Sequence, residues 1–423
     1  MSTNFEPGRE SGAEAEALDA AAELGGLPPE RPSYGASARI LGIGIAVTGV
    51  VTFGYFAVSS HVLDGDDYGH ISLLWSILFV AMSVFYRPVE QLLSRSLAQG
   101  RGGALRTPLS IQAGFAATFL IAALVLRGPL EDAFDGSGAL FWTFVVAAVA
   151  YAASYFARGW FAGHQRFALY GLLVLFESVS RFCFPLAVAV GLASGQTAVA
   201  LGIAAAPLAS LMVTPWAYRR RSVHRDAVGL REGGGFALGV AGVQLAEQTL
   251  LNAAVLIVSV SSNNAAAGFV FSALLIARAP LQLFQSVQTS LLPHLSGGGD
   301  MASAIRVTVA AIAGFAAAAA LALLAVGPFA MDVLFDAQVD YGRGGLALLA
   351  CGMGFHLVAG TLNQAALARG QAGRVAALWL ACAAGFVVWM AVGPFDDLLR
   401  TEVGYTGAAA ILAGLLYGLY RRG

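Results

Sequence analysis

Six ionisable side chains lie in stretches otherwise built from apolar residues: Arg87, Glu90, Glu177, Arg181, Glu247 and Arg278. In "GVQLAEQTLLNAAV", Gln244, Glu247, Gln248 and Asn252 follow the i, i+3, i+4, i+8 spacing of one helix face. In "LLIARAPLQLFQSVQTSLLP", Arg278, Gln282, Gln285 and Thr289 make a matching face, and Pro280 frees a backbone carbonyl nearby. A guanidinium offers forked donors to phosphate oxygens, while side-chain amides donate and accept toward hydroxyl-rich groups. Such a lining suits a phosphate-bearing, sugar-rich ligand. The competing reading is a buried bridge between Glu247 and Arg278, because neither has an opposite charge in its own helix. Glu177 and Arg181, four residues apart on one face, are expected to form a structural ion pair. Arg87 and Glu90 are three apart and continue into Gln91 and Ser94, so Arg87 either pairs, faces a polar path, or snorkels to the membrane surface. His356, Asn363 and Gln364 form a softer polar stripe, read first as hydrogen-bonded structure. Cys183, Cys351 and Cys382 sit in apolar runs without metal-ligand spacing, so neither a disulfide nor a zinc site is expected.

The elements that must hold these groups are set by the solvent. With 58% hydrophobic and 12% charged residues, the 423-residue chain lies in the polytopic membrane class. A charge at mid-bilayer costs at least about 2.5 to 3.5 kcal/mol, so each of the six needs a partner or a wet cavity. Runs of about 20 apolar residues suffice to cross the hydrocarbon layer. Twelve are found, at roughly 38–60, 71–95, 108–126, 139–160, 168–193, 197–217, 235–259, 266–292, 306–327, 343–367, 373–393 and 404–420. The expected organisation is an acidic, Gly/Pro-punctuated tail over 1–37, an N-lobe of six helices over 38–217, a basic linker over 218–234 and a C-lobe of six helices over 235–423. The tail lacks the basic and apolar regions of a signal peptide, so the first apolar run is expected to anchor the chain. Most arginines, among them Arg95, Arg101, Arg106, Arg158, Arg219, Arg220, Arg221 and Arg225, are assigned to loops on one side. Arg127, Arg343 and Arg400 fall on the other, together with Asp64, Asp66, Asp67, Asp396, Asp397 and Glu402. The positive-inside rule then places both termini in the cytoplasm of a multi-pass cytoplasmic-membrane protein.

The halves also resemble each other. "GHISLLWSILFVAMSV" aligns with "GFVFSALLIARAPLQL", pairing Gly69 with Gly268, and "RGPLEDAFD" aligns with "VGPFAMDVLFD" at the same separation. Six helices per half make the repeats parallel, which predicts an all-α membrane protein with two six-helix lobes around a central cavity. The chain has no GxxxxGK[ST], so nucleotide-driven transport within it is excluded, and no cofactor is expected. The loops are too short for the site of a membrane glycan polymerase or ligase, which ranks lowest of the functions considered.

"LDGDDYGHISLLWSILFV", "ARGWFAGHQRFALYGLLVLFESVSRF", "PLQLFQSVQTSLLPHLS" and "GPFAMDVLFD" with "LNQAALARGQAGR" resemble, in order, the polysaccharide-biosynthesis proteins of the multidrug/oligosaccharidyl-lipid/polysaccharide exporter (MOP) superfamily. The resemblance covers residues 38 to 420. It implies a V of two lobes with alternating access, and translocation of a polyprenyl-(pyro)phosphate-linked glycan. It also implies that arginines of the second and eighth spans, here Arg87 and Arg278, bind the pyrophosphate. The partners it implies are membrane lipids, the lipid-linked glycan and the glycosyltransferases or polymerase of the same pathway; nucleic acid is not expected. The chain departs from the lipid II flippase group, which has two further C-terminal helices and several first-span cations where this chain has Arg39. It departs from the drug/cation antiporters in lacking a first-span aspartate, yet Glu247 resembles the seventh-span carboxylate of some of them. A cation-coupled multidrug antiporter is therefore the alternative. The driving force stays open between the membrane potential and a proton or Na+ bound at Glu247 or Glu90.

Overall fold

The computed structural model describes residues 34–98, 105–211, 229–295, 301–335, 341–368 and 371–422. All the regular structure there is helical: α1 (Tyr34–Val62), α2 (Gly65–Phe85), α3 (Arg87–Ala98), α4 (Arg106–Val125), α5 (Arg127–Ala133), α6 (Gly138–Gly163), α7 (Phe167–Ala189), α8 (Gly195–Leu211), α9 (Leu230–Ser261), α10 (Asn264–Leu295), α11 (Met301–Phe335), α12 (Arg343–Ala368), α13 (Ala372–Val392) and α14 (Asp397–Arg422). Ten helical segments are long and apolar enough to cross a membrane among the described residues, and stretches of α8 and α10 are shorter apolar helices. The tail over 1–33 and most of the basic linker lie outside the described residues.

Local chemistry explains where the helices start and break. The Asp64 carboxylate accepts the amide of Asp67 at 2.8 Å and caps α2. The second expected span is divided at Tyr86, and Pro88 falls in the first turn of α3, where its missing N–H leaves no bond unmade. The third span ends in a comparable break at Leu126, ahead of Pro129. The matching Gly327 and Pro328 instead lie within continuous α11, so the repeat in sequence does not carry over to this bend.

The two halves meet chiefly through α1 to α4 on one side and α9 to α11 on the other. At the end bearing the acidic loops, the glycines that align between the halves touch: a methyl group on Gly268 would lie 3.1 Å from Gly69 Cα. One on Gly69 would collide with the Asn264 backbone. Around this contact Tyr68 Oη and Ser272 Oγ are 2.8 Å apart, and Asn264 Nδ2 lies 2.9 Å from His70 Nε2. Phe53 and Phe335 close the same end with ring centres 5.3 Å apart. Toward the arginine-bearing end, Gly233 of α9 packs against Leu92, Thr107 and Ile111, and Arg95 lies 5.1 Å over the Phe236 ring.

Two loop assignments are corrected. Arg158 sits inside α6, within the expected span 139–160 and not in the loop to which its charge was assigned, and its side chain is only 12% exposed. Glu402 lies inside α14, buried, and accepts a hydrogen bond from Tyr341 Oη at 2.7 Å. Both were displaced because charge alone marked them as loop residues, whereas each has a buried partner that makes burial tolerable.

The close approach of the halves yields a test. Gly69→Val is expected to prise the acidic end open, so that Ser72→Cys, fully buried in this arrangement, becomes reactive to a membrane-impermeant maleimide. The background would lack Cys183, Cys351 and Cys382; continued protection of Ser72→Cys in the Val variant would show that the glycine contact does not hold that end shut.

Candidate functional site

A cavity of about 750 Å³ opens between the halves, lined from α1, α2, α3, α6 and α7 on one side and from α9 to α12 on the other. Four arginines line it, Arg87, Arg158, Arg181 and Arg278, with two carboxylates, Glu177 and Glu247, and His356. Its remaining wall includes Ile45, Val50, Phe53, Phe79, Leu275 and Leu323, so the charged groups share the space with a broad apolar surface.

The charges are distributed by packing between helices. Arg87 Nη1 donates to Gln244 Oε1 at 3.2 Å, and Gln244 Nε2 donates to Glu247 Oε2 at 2.9 Å. The other Glu247 oxygen lies 3.7 Å from His356 Nε2. The amide of Gln244 thus relays an arginine of one half to a carboxylate of the other, and a histidine closes the set. His356 is held edge-on by Trp379, with ring centres 5.4 Å apart. Glu247 and Arg278, offered as a buried bridge, form no ion pair among the described residues. Arg278 Nη2 donates instead to the Leu251 carbonyl, and its Nε has no hydrogen-bond partner.

The expected Glu177–Arg181 pair is also replaced. Glu177 is almost fully buried, and its two oxygens accept from Ser154 Oγ and Arg158 Nη2, both on α6. Arg181 turns the other way, donating to Tyr151 Oη at 2.8 Å and stacking 4.4 Å over the Trp75 ring. An i, i+4 spacing permits a pair, but a partner on a neighbouring helix with a hydroxyl beside it satisfies more of the carboxylate's lone pairs. Glu90 stays off the cavity wall and accepts from Tyr170 Oη at 2.8 Å. Gly159 lets α6 approach α3 there, since a methyl at that position would lie 2.7 Å from the Glu90 carbonyl oxygen.

The polar face of α9 is only partly available. Asn252 Nδ2 donates to the carbonyl and side-chain oxygens of Gln248 at 3.1 and 3.0 Å, and both residues line the cavity. The side chains of Gln282, Gln285 and Gln364 lie outside the described ones. Asn363 is buried with its side-chain oxygen unpartnered.

No family model matches the sequence. No curated protein matches it either. Solved structures do: an inward-facing multidrug resistance MATE family transporter of the MOP superfamily aligns with 91% of this chain and 97% of its own, at 12% identity and TM-score 0.63. The Vibrio cholerae MATE transporter VcmN, solved as a point mutant, aligns over 93% and 98%, at 14% identity and TM-score 0.62. A MOP superfamily transporter from Pyrococcus furiosus, whose reverse polarity of binding pocket suggests a different function, aligns over 93% and 96%, at 13% identity and TM-score 0.62. The fold is that of the MATE transporters.

Within this MATE fold, the expected binding residues Arg87, Gln248, Asn252 and Arg278 and the coupling candidate Glu247 line the cavity, as do Glu177 and Arg181, expected as a structural pair, whereas Gln244 and Glu90 do not; sequence reasoning missed Arg158. The signal for Arg158 was available: "YFARGW" lies within the expected span 139–160, and Glu177 needed a cation. It also missed the aromatic platforms, Trp75 under Arg181 and Tyr155 under Arg158, the latter 4.6 Å from the guanidinium. Aromatic residues in an apolar run carry no distinguishing pattern.

The buried Arg158–Glu177 pair makes a direct prediction. Removing one partner leaves an uncompensated buried charge, a loss of about 3 to 5 kcal/mol, whereas removing both is near neutral. Glu177→Leu is therefore expected to lower the thermal midpoint in detergent markedly, and the double variant Glu177→Leu/Arg158→Leu to regain most of it. Equal destabilisation by the single and double variants would mean that the pair is not what holds α6 to α7.

Proposed function

We propose that the chain is an alternating-access flippase that moves a polyprenyl-(pyro)phosphate-linked glycan precursor across the cytoplasmic membrane, with two six-helix lobes rocking about the cavity. The observation that carries this reading is the charge balance of the cavity wall, four arginines against two glutamates. An anionic headgroup is attracted to such a wall, and a cationic drug is repelled by it. The apolar surface that shares the cavity suits the first isoprene units of a carrier lipid, and the Gln248 and Asn252 amides suit sugar hydroxyls. The arginine fork matches phosphate geometry, which Glu247 and His356 do not. The MATE fold supports transport by alternating access, and the P. furiosus transporter, with its pocket of reverse polarity, supports the idea that this fold serves cargo of different charge.

In this reading the closed acidic end faces outward and the arginine-bearing loops face the cytoplasm, as the positive-inside rule requires. The termini are then cytoplasmic. Glycosyltransferases on that side supply the cargo.

One observation favours a second reading. Glu247 and His356 form a pair on α9 and α12 at 3.7 Å, which fits a cation-coupled antiporter, and most of the structural neighbours are MATE transporters, several of them multidrug transporters. The same pair is compatible with proton coupling of a flippase, so it bears on the driving force more than on the cargo.

The two readings part on Arg278→Ala. For the flippase this variant is expected to stop glycan export, with lipid-linked precursor accumulating in a depletion strain while the protein remains at normal level in the membrane. Wild-type export by the variant, or dye-resistance loss without any change in lipid-linked glycan, would overturn the flippase assignment.

A further inference from the structure

The cavity charges divide into those already matched and those that are not. Arg158 is matched by Glu177, and Arg87 by Glu247 through the Gln244 amide. Arg181 and Arg278 are left over. Neither has a carboxylate within 4.0 Å among the described residues, nor one reached through an amide; each keeps an Nε with no hydrogen-bond partner, as Arg158 also does. Arg181 is 4% exposed, so this is a guanidinium withdrawn from solvent without a counter-charge, the most costly way to place one.

What Arg181 does have is fixed orientation. Its guanidinium carbon lies 4.4 Å over the Trp75 ring, and Tyr151 Oη accepts from Nη2, which leaves Nε buried and without a partner. Aromatic stacking and a single neutral acceptor aim a cation without neutralising it. Arg278 is arranged on the same plan: one neutral acceptor, the Leu251 carbonyl, and an unpartnered Nε. One residue comes from α7 of the first half and the other from α10 of the second, and both line the same cavity.

We propose that Arg181 and Arg278 are the anion-binding pair of this cavity, holding one phosphate or pyrophosphate group between the two halves, and that Arg87 serves the Gln244–Glu247 relay instead. This rests on the anionic-cargo reading above and replaces its expected first-half anchor. Each guanidinium would contribute charge-assisted donors to oxygens of the same group, so the ligand would draw the halves together.

The test uses the full chain in lipid nanodiscs and the tryptophan beneath Arg181. Inorganic pyrophosphate and farnesyl pyrophosphate are titrated separately while tryptophan fluorescence is followed, with Trp75→Phe identifying the responding ring. Arg181→Gln and Arg278→Gln are each expected to weaken binding about tenfold or more, the loss of a charge-assisted hydrogen bond. The double variant should lose less than the product of the single losses, because one anion is shared. Tighter binding of the farnesyl form makes the ligand a lipid headgroup and equal binding makes it a free anion; both support the pair. Arg181→Lys keeps the charge without the fork and serves where the glutamine variant aggregates; it is expected to bind more weakly than wild type. Wild-type affinity in both Arg181 variants, with Arg278→Gln still impaired, overturns the pair and leaves the flippase reading standing. If wild type binds neither probe but binds a cationic dye, the flippase reading fails and the pair with it.

Discussion

A charged side chain inside a membrane must meet an opposite charge, a set of hydrogen-bonding groups, or water, and the interior of this protein is organised by that requirement. The apolar spans would pack in many ways if greasy contacts were all they had. The guanidinium and carboxylate groups remove most of those choices. Arg158 on α6 ties to Glu177 on α7, Arg87 on α3 reaches Glu247 on α9 through Gln244, and Tyr170 on α7 holds Glu90 on α3. Three of these helices belong to one half and the fourth to the other. The relay through Gln244 is therefore a specific contact between the halves.

Packing provides the second constraint. Lipid tails are as apolar as leucine, so helices associate where small residues let backbones approach. Gly69 and Gly268 do this at the junction of the halves, and Gly159 does it beside the charge cluster. That the two aligned glycines meet each other is what a two-fold relation between repeats demands of residues near its axis. The charged residues do not follow that relation. Glu177 and Arg158 have no counterparts in the second half, and the helix break at Leu126 has none at Pro328. The repeated positions carry the fold, and the unrepeated ones carry the chemistry of the cavity.

This division explains what could be read from sequence. The helical spans were legible because the bilayer imposes a length and a composition on them, and a helix occurs at each of the twelve expected runs, although as described two are shorter apolar helices. Cavity residues Arg87, Glu247, Gln248, Asn252 and Arg278 were legible because a polar group in an apolar run needs a reason. Their partners were not. Spacing along one helix suggested Glu177 with Arg181, but the carboxylate is satisfied by Ser154 and Arg158 across a helix interface. Partner choice depends on the rotation of each helix about its axis, and a sequence fixes that only through the packing of all its neighbours. Arg158 and Glu402 were assigned to loops for the complementary reason: the charge was visible and the burial was not.

In the proposed flippase, alternation of access would place a further demand on this arrangement. Turnover requires the cavity to change its opening both with cargo and without it. With an anion bound, Arg181 and Arg278 would be neutralised and the halves could approach at little electrostatic cost. Without it, the same movement would bring two bare guanidinium groups together in a shrinking, drying space, where like charges repel strongly.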